Sequence, residues 1–155
     1  MAATSTNKQP LLVDRVLHKV VTTDSAAAGA IDIAGTNTAV VLVDAQTSDG
    51  CVIESIYAIS RGSTPHQVNL YISSANDYLR PNEGIFIGSF DSATTEADVT
   101  TWDEMPKVLA PVAQTGTEQQ LRALYIPKGM TLWVARQSTQ IATDGPIVGA
   151  QGGWY

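Results

Sequence analysis

The sequence is short of the residues that carry most enzyme chemistry. Its 155 residues include one cysteine, Cys51, and two histidines, His18 and His66. One cysteine excludes an internal disulfide and a zinc site built on several cysteines, and no C-x-x-C or H-x-x-x-H pair is present. Gly-rich phosphate loops and the spaced aspartates of a calcium loop are also absent. We therefore expect no metal, no cofactor and no enzymatic activity.

The one catalytic option left is a nucleophilic pair of Cys51 and His66, which would have to lie within hydrogen-bond reach. Cys51 opens an apolar run, where free cysteine usually behaves as a small hydrophobe. His66 follows Thr64-Pro65 in a predicted turn, which favours a solvated imidazole. His18 alternates with apolar neighbours, and Glu54 has no second carboxylate tied to it by spacing. The pattern favours a structural Cys51 over a hydrolase.

Charge is also scarce. Charged residues make up 15% of the chain, against roughly 25% in an average globular protein. The net charge is −6, and the nine basic residues are scattered. Since nucleic-acid binding depends on clustered Lys and Arg, neither nucleic acid nor an anionic membrane is an expected partner. A surface poor in charge is easily desolvated, which suits a protein that lies against other proteins.

Long apolar runs are missing as well. No run approaches the ~20 residues of a membrane-spanning helix, and no leader-type apolar region precedes a small-residue cleavage site. We expect a protein that is soluble when made, and made in a cytoplasm.

What the sequence does contain is a series of short runs typical of β-strands, with seventeen threonines that suit a pleated surface. The runs cover 17–23, 38–44, 51–60, 67–73, 84–90, 121–126, 131–137 and 147–155. Turn residues separate them, and no helical period persists for three turns. The prediction is an all-β fold: one antiparallel β-sandwich, jelly-roll-like, over 16–155, preceded by an extended N-terminal arm over 1–15.

Turn chemistry adds detail to this prediction. Asp49-Gly50 suits a tight hairpin, and Pro127-Lys128-Gly129 predicts a hairpin over 121–137. The polar segment 91–104 reads as a loop with a possible helical turn over 98–104. Trp102 lies in it, either folded back into the core or exposed as an anchor for a partner.

Two runs are apolar on both faces. In the first run, alternation places Ala39, Val41 and Val43 on one face and Val40 and Leu42 on the other. In the second run, it places Cys51, Ile53, Tyr57 and Ile59 on one face and Val52, Ile56 and Ala58 on the other. An antiparallel sheet usually keeps one face wet. The second cover could be the chain's own loops or a neighbouring subunit.

The arm carries a sticky, extended stretch, NKQPLLVDR. Pro10 forces an extended conformation at Gln9, and such a segment can add a strand to a neighbour's sheet edge. The alternative is an edge strand docked on the chain's own sheet. The predicted partner-binding residues are Asn7, Lys8, Gln9, Pro10, Leu11, Leu12, Val13, Asp14, Arg15 and, through the anchor interpretation, Trp102.

Several stretches together resemble small virion proteins encoded among the head genes of tailed phages, particularly phages of cyanobacteria. They are NKQPLLVDR, TNTAVVLVD, VIESIYAISRG, VNLYISSANDYLRP, RALYIPKGMTLWVA and the terminal GAQGGWY. The resemblance covers most of the chain, through structural motifs. It implies a capsid decoration (cement) protein: a β-sandwich on the outside of the capsid, assembled in the host cytoplasm.

The partners that the resemblance implies are the major capsid protein and further copies of the chain, as a trimer by analogy or as a dimer. The alternative virion role is a tail or head-fibre module that binds a host receptor or glycan. That role would need exposed aromatics on a shallow groove, and the candidates are Tyr71, Tyr78, Trp102 and Trp133.

Overall fold

The computed structural model describes residues 14–23, 39–75, 84–105, 123–137 and 144–155. Within these ranges the chain forms nine β-strands and no helix. The strands are β1 (Arg15–Thr22), β2 (Val40–Asp44), β3 (Gly50–Ile59), β4 (Gln67–Ser73), β5 (Ile85–Asp91), β6 (Val99–Thr101), β7 (Leu124–Pro127), β8 (Thr131–Arg136) and β9 (Ile147–Trp154).

The strands form two antiparallel sheets packed face to face. A five-stranded sheet has the order β1-β9-β3-β6, with β7 also paired to β3, and a four-stranded sheet has the order β2-β8-β4-β5. The predicted all-β sandwich is therefore confirmed, and each predicted run overlaps a strand. The core between the sheets is filled by aliphatic side chains; the largest that are fully buried include Leu17, Leu42, Ile53, Ile56, Leu70, Ile126 and Leu132.

The sheets lie over each other so that equivalent edges meet. β1 lies close to β2 across the sandwich. At the opposite side Trp102, directly after β6, packs against Gly88 of β5; a Cβ at Gly88 would lie 2.5 Å from its ring atom Cζ2. The sandwich therefore has a β1/β2 side and a β6/β5 side.

Bulges correct the predicted faces of the two doubly apolar strands. In β3, Ile53 pairs with Gly152 and Ser55 with Gln151, so Glu54 is an extra residue in the strand. A one-residue bulge reverses the facing of everything after it. The predicted faces are consequently wrong beyond Glu54. The side chains of β3 that face the core are those of Cys51, Ile53, Ile56 and Ala58.

β2 shows the same effect. Its register shifts between Val41 and Val43. Val43 therefore joins Val40 and Leu42 against the core, whereas Ala39 and Val41 lie on the opposite face with Trp133.

The two predicted hairpins are wrong, although their turn chemistry is present. Gly50 has φ +106° and Gly129 has φ +82°, both in the left-handed region that favours glycine. Met130 N donates to Pro127 O at 3.1 Å and closes a tight turn. Yet β2 and β7 each lie in a different sheet from the strand that follows them. Each turn thus carries the chain from one sheet to the other, because the strand before the turn and the strand after it lie in different sheets.

The segment 91–104, predicted as a loop, contains β6, which pairs with β3 through Tyr57–Thr101, Ala58–Thr100 and Ile59–Val99. The suggested helical turn over 98–104 is therefore wrong. Three residues are too few to show a period in the sequence, and only the neighbouring β3 makes them a strand.

Candidate functional site

The outer face of the five-stranded sheet is the most distinctive surface in the described part of the chain. Directly paired residues share a face, so the register assigns the outward side chains. We call them the open face: Val16, His18, Val20, Thr22, Val52, Ser55, Tyr57, Ile59, Val99, Thr101, Tyr125, Pro127, Ile147 and Gln151. Six large hydrophobic side chains are exposed in the described residues, and four of them, Val16, Val20, Val99 and Tyr125, lie on this face.

Glycines in the central strand β9 shape the middle of the open face. Gly149 is opposite both Val20 and Tyr57, and a Cβ there would overlap the Tyr57 ring. The ring therefore lies across β9 and reaches β1, where the Tyr57 hydroxyl and His18 Nε2 are 2.9 Å apart. One hydrogen bond thus links the two strands on either side of β9.

The open face carries no Lys, Arg, Asp or Glu, and His18 is its only ionisable group besides tyrosine. The charged side chains lie at its borders: Arg15 and Lys19 on β1, and Glu54, Asp98 and Asp103 on the opposite side. A neutral, partly apolar surface is easier to desolvate than the rest of an acidic protein. This face can therefore bury area against a partner without burying charge.

The outer face of the four-stranded sheet is different. Trp133 and Ala39 are each 2% exposed and Ala135 is fully buried, and these three form a second apolar cluster with Val41 and Tyr71. The outer face of β2 is therefore covered by other parts of the same chain, which is one of the two alternatives considered for strands that are apolar on both faces. The outward residues of β3, Val52, Ser55, Tyr57 and Ile59, are each half-buried, and none is fully buried.

Trp102 belongs to the core. It is 3% exposed and lies in the main hydrophobic cluster, which is the buried alternative for this residue. Its ring is not available as a surface anchor, because the sandwich closes over it. A cleft of about 420 Å³ lies beside it, lined by Glu54, Ser55, Thr101, Trp102, Asp103 and Met105.

The Cys51–His66 pair is not formed. Cys51 pairs with Trp154 at one end of β9, while His66 lies beside Asp144, just before the other end. Eight paired residues separate these ends, which is roughly 20 Å or more. Burial raises the pKa of the Cys51 thiol to about 11, so it stays protonated at neutral pH. This agrees with the interpretation of Cys51 as a small hydrophobe.

His66 is part of a buried ionic cluster, so its interpretation as a solvated imidazole is wrong. Only 16% of its side chain is exposed, and its Nε2 lies 3.7 Å from Asp144 Oδ2. Arg136, 1% exposed, places Nη1 3.7 Å from Asp144 Oδ1. Proximity in sequence could not reveal this cluster, because Asp144 lies far along the chain from His66. Glu54, considered as a buried acid, is exposed in its bulge.

The four aromatics proposed for a glycan groove do not converge in the described residues. Trp102 and Trp133 are buried on opposite faces of the four-stranded sheet, in separate clusters. Tyr71 stacks against Phe86, with ring centroids 5.6 Å apart. Tyr78 lies outside the described residues.

Most of the predicted arm also lies outside the described residues, namely Asn7 to Val13. Its last two residues belong to the sheet: Asp14 N donates to Trp154 O at 2.7 Å, and Arg15 is the first residue of β1. Their side chains are exposed and 3.9 Å apart.

In the five described ranges, no group of three or more His, Cys, Asp or Glu could hold a metal ion. No helix in these ranges is long and apolar enough to cross a membrane. No protein-family model, curated protein or solved structure matches the chain.

Proposed function

We propose that this protein is a capsid decoration protein of a tailed phage, which binds the outside of the major capsid shell and bridges its capsomers. The observation that supports this most directly is the open face: a broad sheet surface that is exposed, partly apolar and free of carboxylates and cationic side chains. The resemblance to small head proteins of tailed phages points the same way. The protein assembles with further copies of itself, as a trimer, and needs no cofactor or catalytic group.

The role explains why the face is built this way. A cement protein must bury area on more than one capsid subunit, and its affinity comes from well-packed contacts. The open face offers the exposed apolar side chains of β1, β6 and β7 to such contacts without burying charge. A tail or fibre module remains the alternative virion role, but no observation in the described residues favours it.

The number of copies in the particle tests the role itself. We expect hundreds of copies per purified virion, measured by quantitative gel densitometry and located on the shell by electron microscopy. A handful of copies at one vertex would overturn the decoration role in favour of the tail or fibre role.

The contact surface can be tested with a matched pair of charge substitutions. Gln151 lies in the middle of the open face and Gln137 lies beyond β8, and both are exposed. Gln151→Glu should weaken binding to undecorated capsids by about tenfold or more, because a charge would be buried without a partner. Gln137→Glu should bind as wild type. Co-sedimentation measures binding, and equal binding by both variants would show that another surface makes the contact.

The arm remains a separate prediction. A chain lacking residues 1–13 keeps all of β1, so we expect it to fold and to lose tight capsid binding. Leu11→Asp and Leu12→Asp should reproduce the defect, because each would place an unpaired charge at the contact, whereas Lys8→Ala should have little effect. A thermal melt beside the co-sedimentation distinguishes lost binding from lost folding. Wild-type binding by the truncated chain would contradict the arm's role.

A further inference from the structure

The five-stranded sheet ends in two edges of opposite charge. At one end, β1 pairs only with β9 in the described residues and carries Arg15 and Lys19. We call its free side the basic edge. Lys19 is exposed and forms no ion pair with a described residue. Among the described residues, the ion-pair partner of Arg15 is the adjacent, exposed Asp14.

The backbone of the basic edge is available for pairing. Thr23 N donates to Pro146 O at 3.2 Å and continues the β1–β9 ladder. Because hydrogen-bonding residues alternate along an antiparallel pair, Val21, Lys19 and Leu17 direct their N–H and C=O groups at β9. The same groups of Val16, His18 and Val20 point away from the sheet. No described residue pairs with these groups, and such a row is a template for another strand.

At the other end of the sheet lies β6, and we call its free side the acidic edge. Ser60 N donates to Asp98 O at 3.0 Å, and Trp102 N donates to Ile56 O at 2.9 Å. By the same alternation, Val99 and Thr101 direct their backbone groups away from β3. Asp98 and Asp103 flank these residues, and both are exposed.

We propose that the basic edge of one copy pairs with the acidic edge of a second copy, as an antiparallel continuation of the five-stranded sheet. The alternation of the two edges supports this pairing. The residues with outward backbone groups, Val16, His18 and Val20 on one edge and Val99 and Thr101 on the other, all place their side chains on the open face. Paired residues must share a face, so the two edges match and the open faces become continuous.

Charge determines that a basic edge pairs with an acidic edge and not with a second basic edge. Two basic edges would bring together the Lys19 and Arg15 side chains of both copies, and like charges on adjacent strands are destabilising. A basic edge against an acidic edge pairs Lys19 with Asp98. In the antiparallel register that places Lys19 opposite Asp98, Arg15 comes opposite Trp102 and Asp14 comes opposite Asp103. Arg15, whose Nε lies 3.9 Å from Asp14 Oδ2, would then lie beside both carboxylates. The cleft lined by Glu54 and Asp103 lies at the same end of β6 and would receive the guanidinium group.

This interface is heterologous: each copy uses two different surfaces, which produces a closed ring when the rotation between copies closes. The inference deepens the self-assembly part of the proposed function by naming the surfaces that join the copies. It concerns purified protein alone, so its test does not depend on capsid binding.

Charge reversal tests the interface in a way that a structural role would not reproduce. The full-length protein should form a discrete oligomer in sedimentation velocity at up to about 1 mM, where an interface with a Kd of that order is half occupied. Lys19→Glu and Asp98→Lys should each reduce the association at least about tenfold, by placing like charges opposite each other. Both sites are exposed, so thermal melts should match that of the wild type.

Two further samples separate this interface from any other. The Lys19→Glu/Asp98→Lys double variant should regain the oligomer of the wild type, because every interface again joins opposite charges. An equimolar mixture of the two single variants should associate only in assemblies with an even number of copies, because a ring of three always contains one interface between like copies. A monomeric wild-type protein, or an oligomer that neither single substitution weakens, would overturn the inference. Failure of the double variant to recover, or the absence of any association in the mixture, would overturn it as well.

Backbone pairing is tested by proline. The N–H of Val16 points to the free edge and comes opposite Thr101 of β6 when Lys19 is opposite Asp98, so Val16→Pro removes a donor of the proposed interface and none of the β1–β9 ladder. We expect a folded monomer. Unchanged oligomerisation of the folded Val16→Pro protein would contradict strand pairing. Oligomers that form without binding capsids would overturn the decoration role and leave the proposed interface intact. A monomer that binds capsids would overturn the interface and leave the decoration role intact.

Discussion

At the scale of single residues, two aromatic rings owe their positions to the glycines that they lie against. Tyr57 crosses the central strand above Gly149, and Trp102 enters the core beside Gly88. A methyl group at either position would occupy space that the ring fills. The first contact lets the Tyr57 ring reach His18 across β9, and the second closes the β6/β5 side of the sandwich. Cys51 shows the same dependence on surroundings, since burial rather than a partner determines its chemistry.

The Cys51 thiol should make stability depend on alkaline pH. Its pKa is about 11 in the folded protein against 9.0 ordinarily. Between these values the unfolded chain releases the proton and the folded chain keeps it, so the free energy of unfolding falls as pH rises from about 9 to about 11. Cys51→Ala should cost about 1 kcal/mol at pH 7 and should make that fall shallower, by on the order of 2 kcal/mol.

Urea unfolding at a series of pH values measures both effects. Tyr71, whose pKa is raised by burial, contributes to the alkaline fall equally in the two proteins and serves as an internal control. The pKa of Tyr155 is raised by burial and also by the charge of Cys51, so its contribution changes with the substitution. The same slope in both proteins, or rapid alkylation of the native thiol at pH 8, would contradict the assignment of Cys51 to the core.

At the scale of elements, β3 depends on its bulge. It pairs with β9 along one side and with both β7 and β6 along the other, and Glu54 lies between these two partners. Before the bulge the odd-numbered residues Cys51 and Ile53 face the core, and after it the even-numbered residues Ile56 and Ala58 do. The extra residue thus allows one long strand to keep an apolar face on the core over its whole length.

Deleting Glu54 should therefore unfold the protein, whereas replacing it should not. Without the extra residue, either Cys51 and Ile53 or Ile56 and Ala58 would turn to the outer face, which removes two buried side chains at roughly 1–3 kcal/mol each. Glu54→Ala leaves the bulge in place at an exposed position and should change stability by no more than about 0.5 kcal/mol. Thermal melts of the two variants make the comparison, and a stable deletion variant would show that the register can slide.

At the scale of the whole molecule, the two sheets differ in what covers them. The four-stranded sheet has a buried outer cluster around Trp133, and the five-stranded sheet has an open outer face. The sheets are joined at one end by the cluster of His66, Arg136 and Asp144, which connects the starts of β4 and β9 with the end of β8. This cluster brings residues of the two sheets together at the end farthest from Cys51.

Asp144→Asn should accordingly lower the free energy of unfolding more than an equivalent change at the surface does. It removes the carboxylate from Arg136, which is 1% exposed, and a buried charge that loses a partner costs on the order of 1–3 kcal/mol. The matched control is Asp49→Asn, which removes the exposed Asp49–Lys128 pair at 3.2 Å and should change stability by less than about 1 kcal/mol. Urea unfolding of both variants decides, and equal effects would mean that the cluster contributes no more than a surface pair.

The sequence by itself determined the fold class and the approximate position of eight strands, because short apolar runs and turn residues are local signals. It also identified the left-handed glycine at position 129, since Pro-Lys-Gly turn chemistry is local, and the hydrophobic role of Cys51. The sequence did not predict β6, because three residues are too few to show the alternation of a strand. It did not predict which side chains of β3 and β2 face the core, because a bulge can be recognised only from the pairing with the partner strand.

Only the tertiary structure decided which strands share a sheet, and with that the open face. Both predicted hairpins cross between sheets, because β2, β3, β7 and β8 pair with strands that are distant in sequence. The alternation of Val16, His18 and Val20 was readable from the sequence, but not whether that side of the strand faces core or solvent. That outcome depends on which faces the two sheets bury against each other, a property of the whole molecule that no local pattern contains.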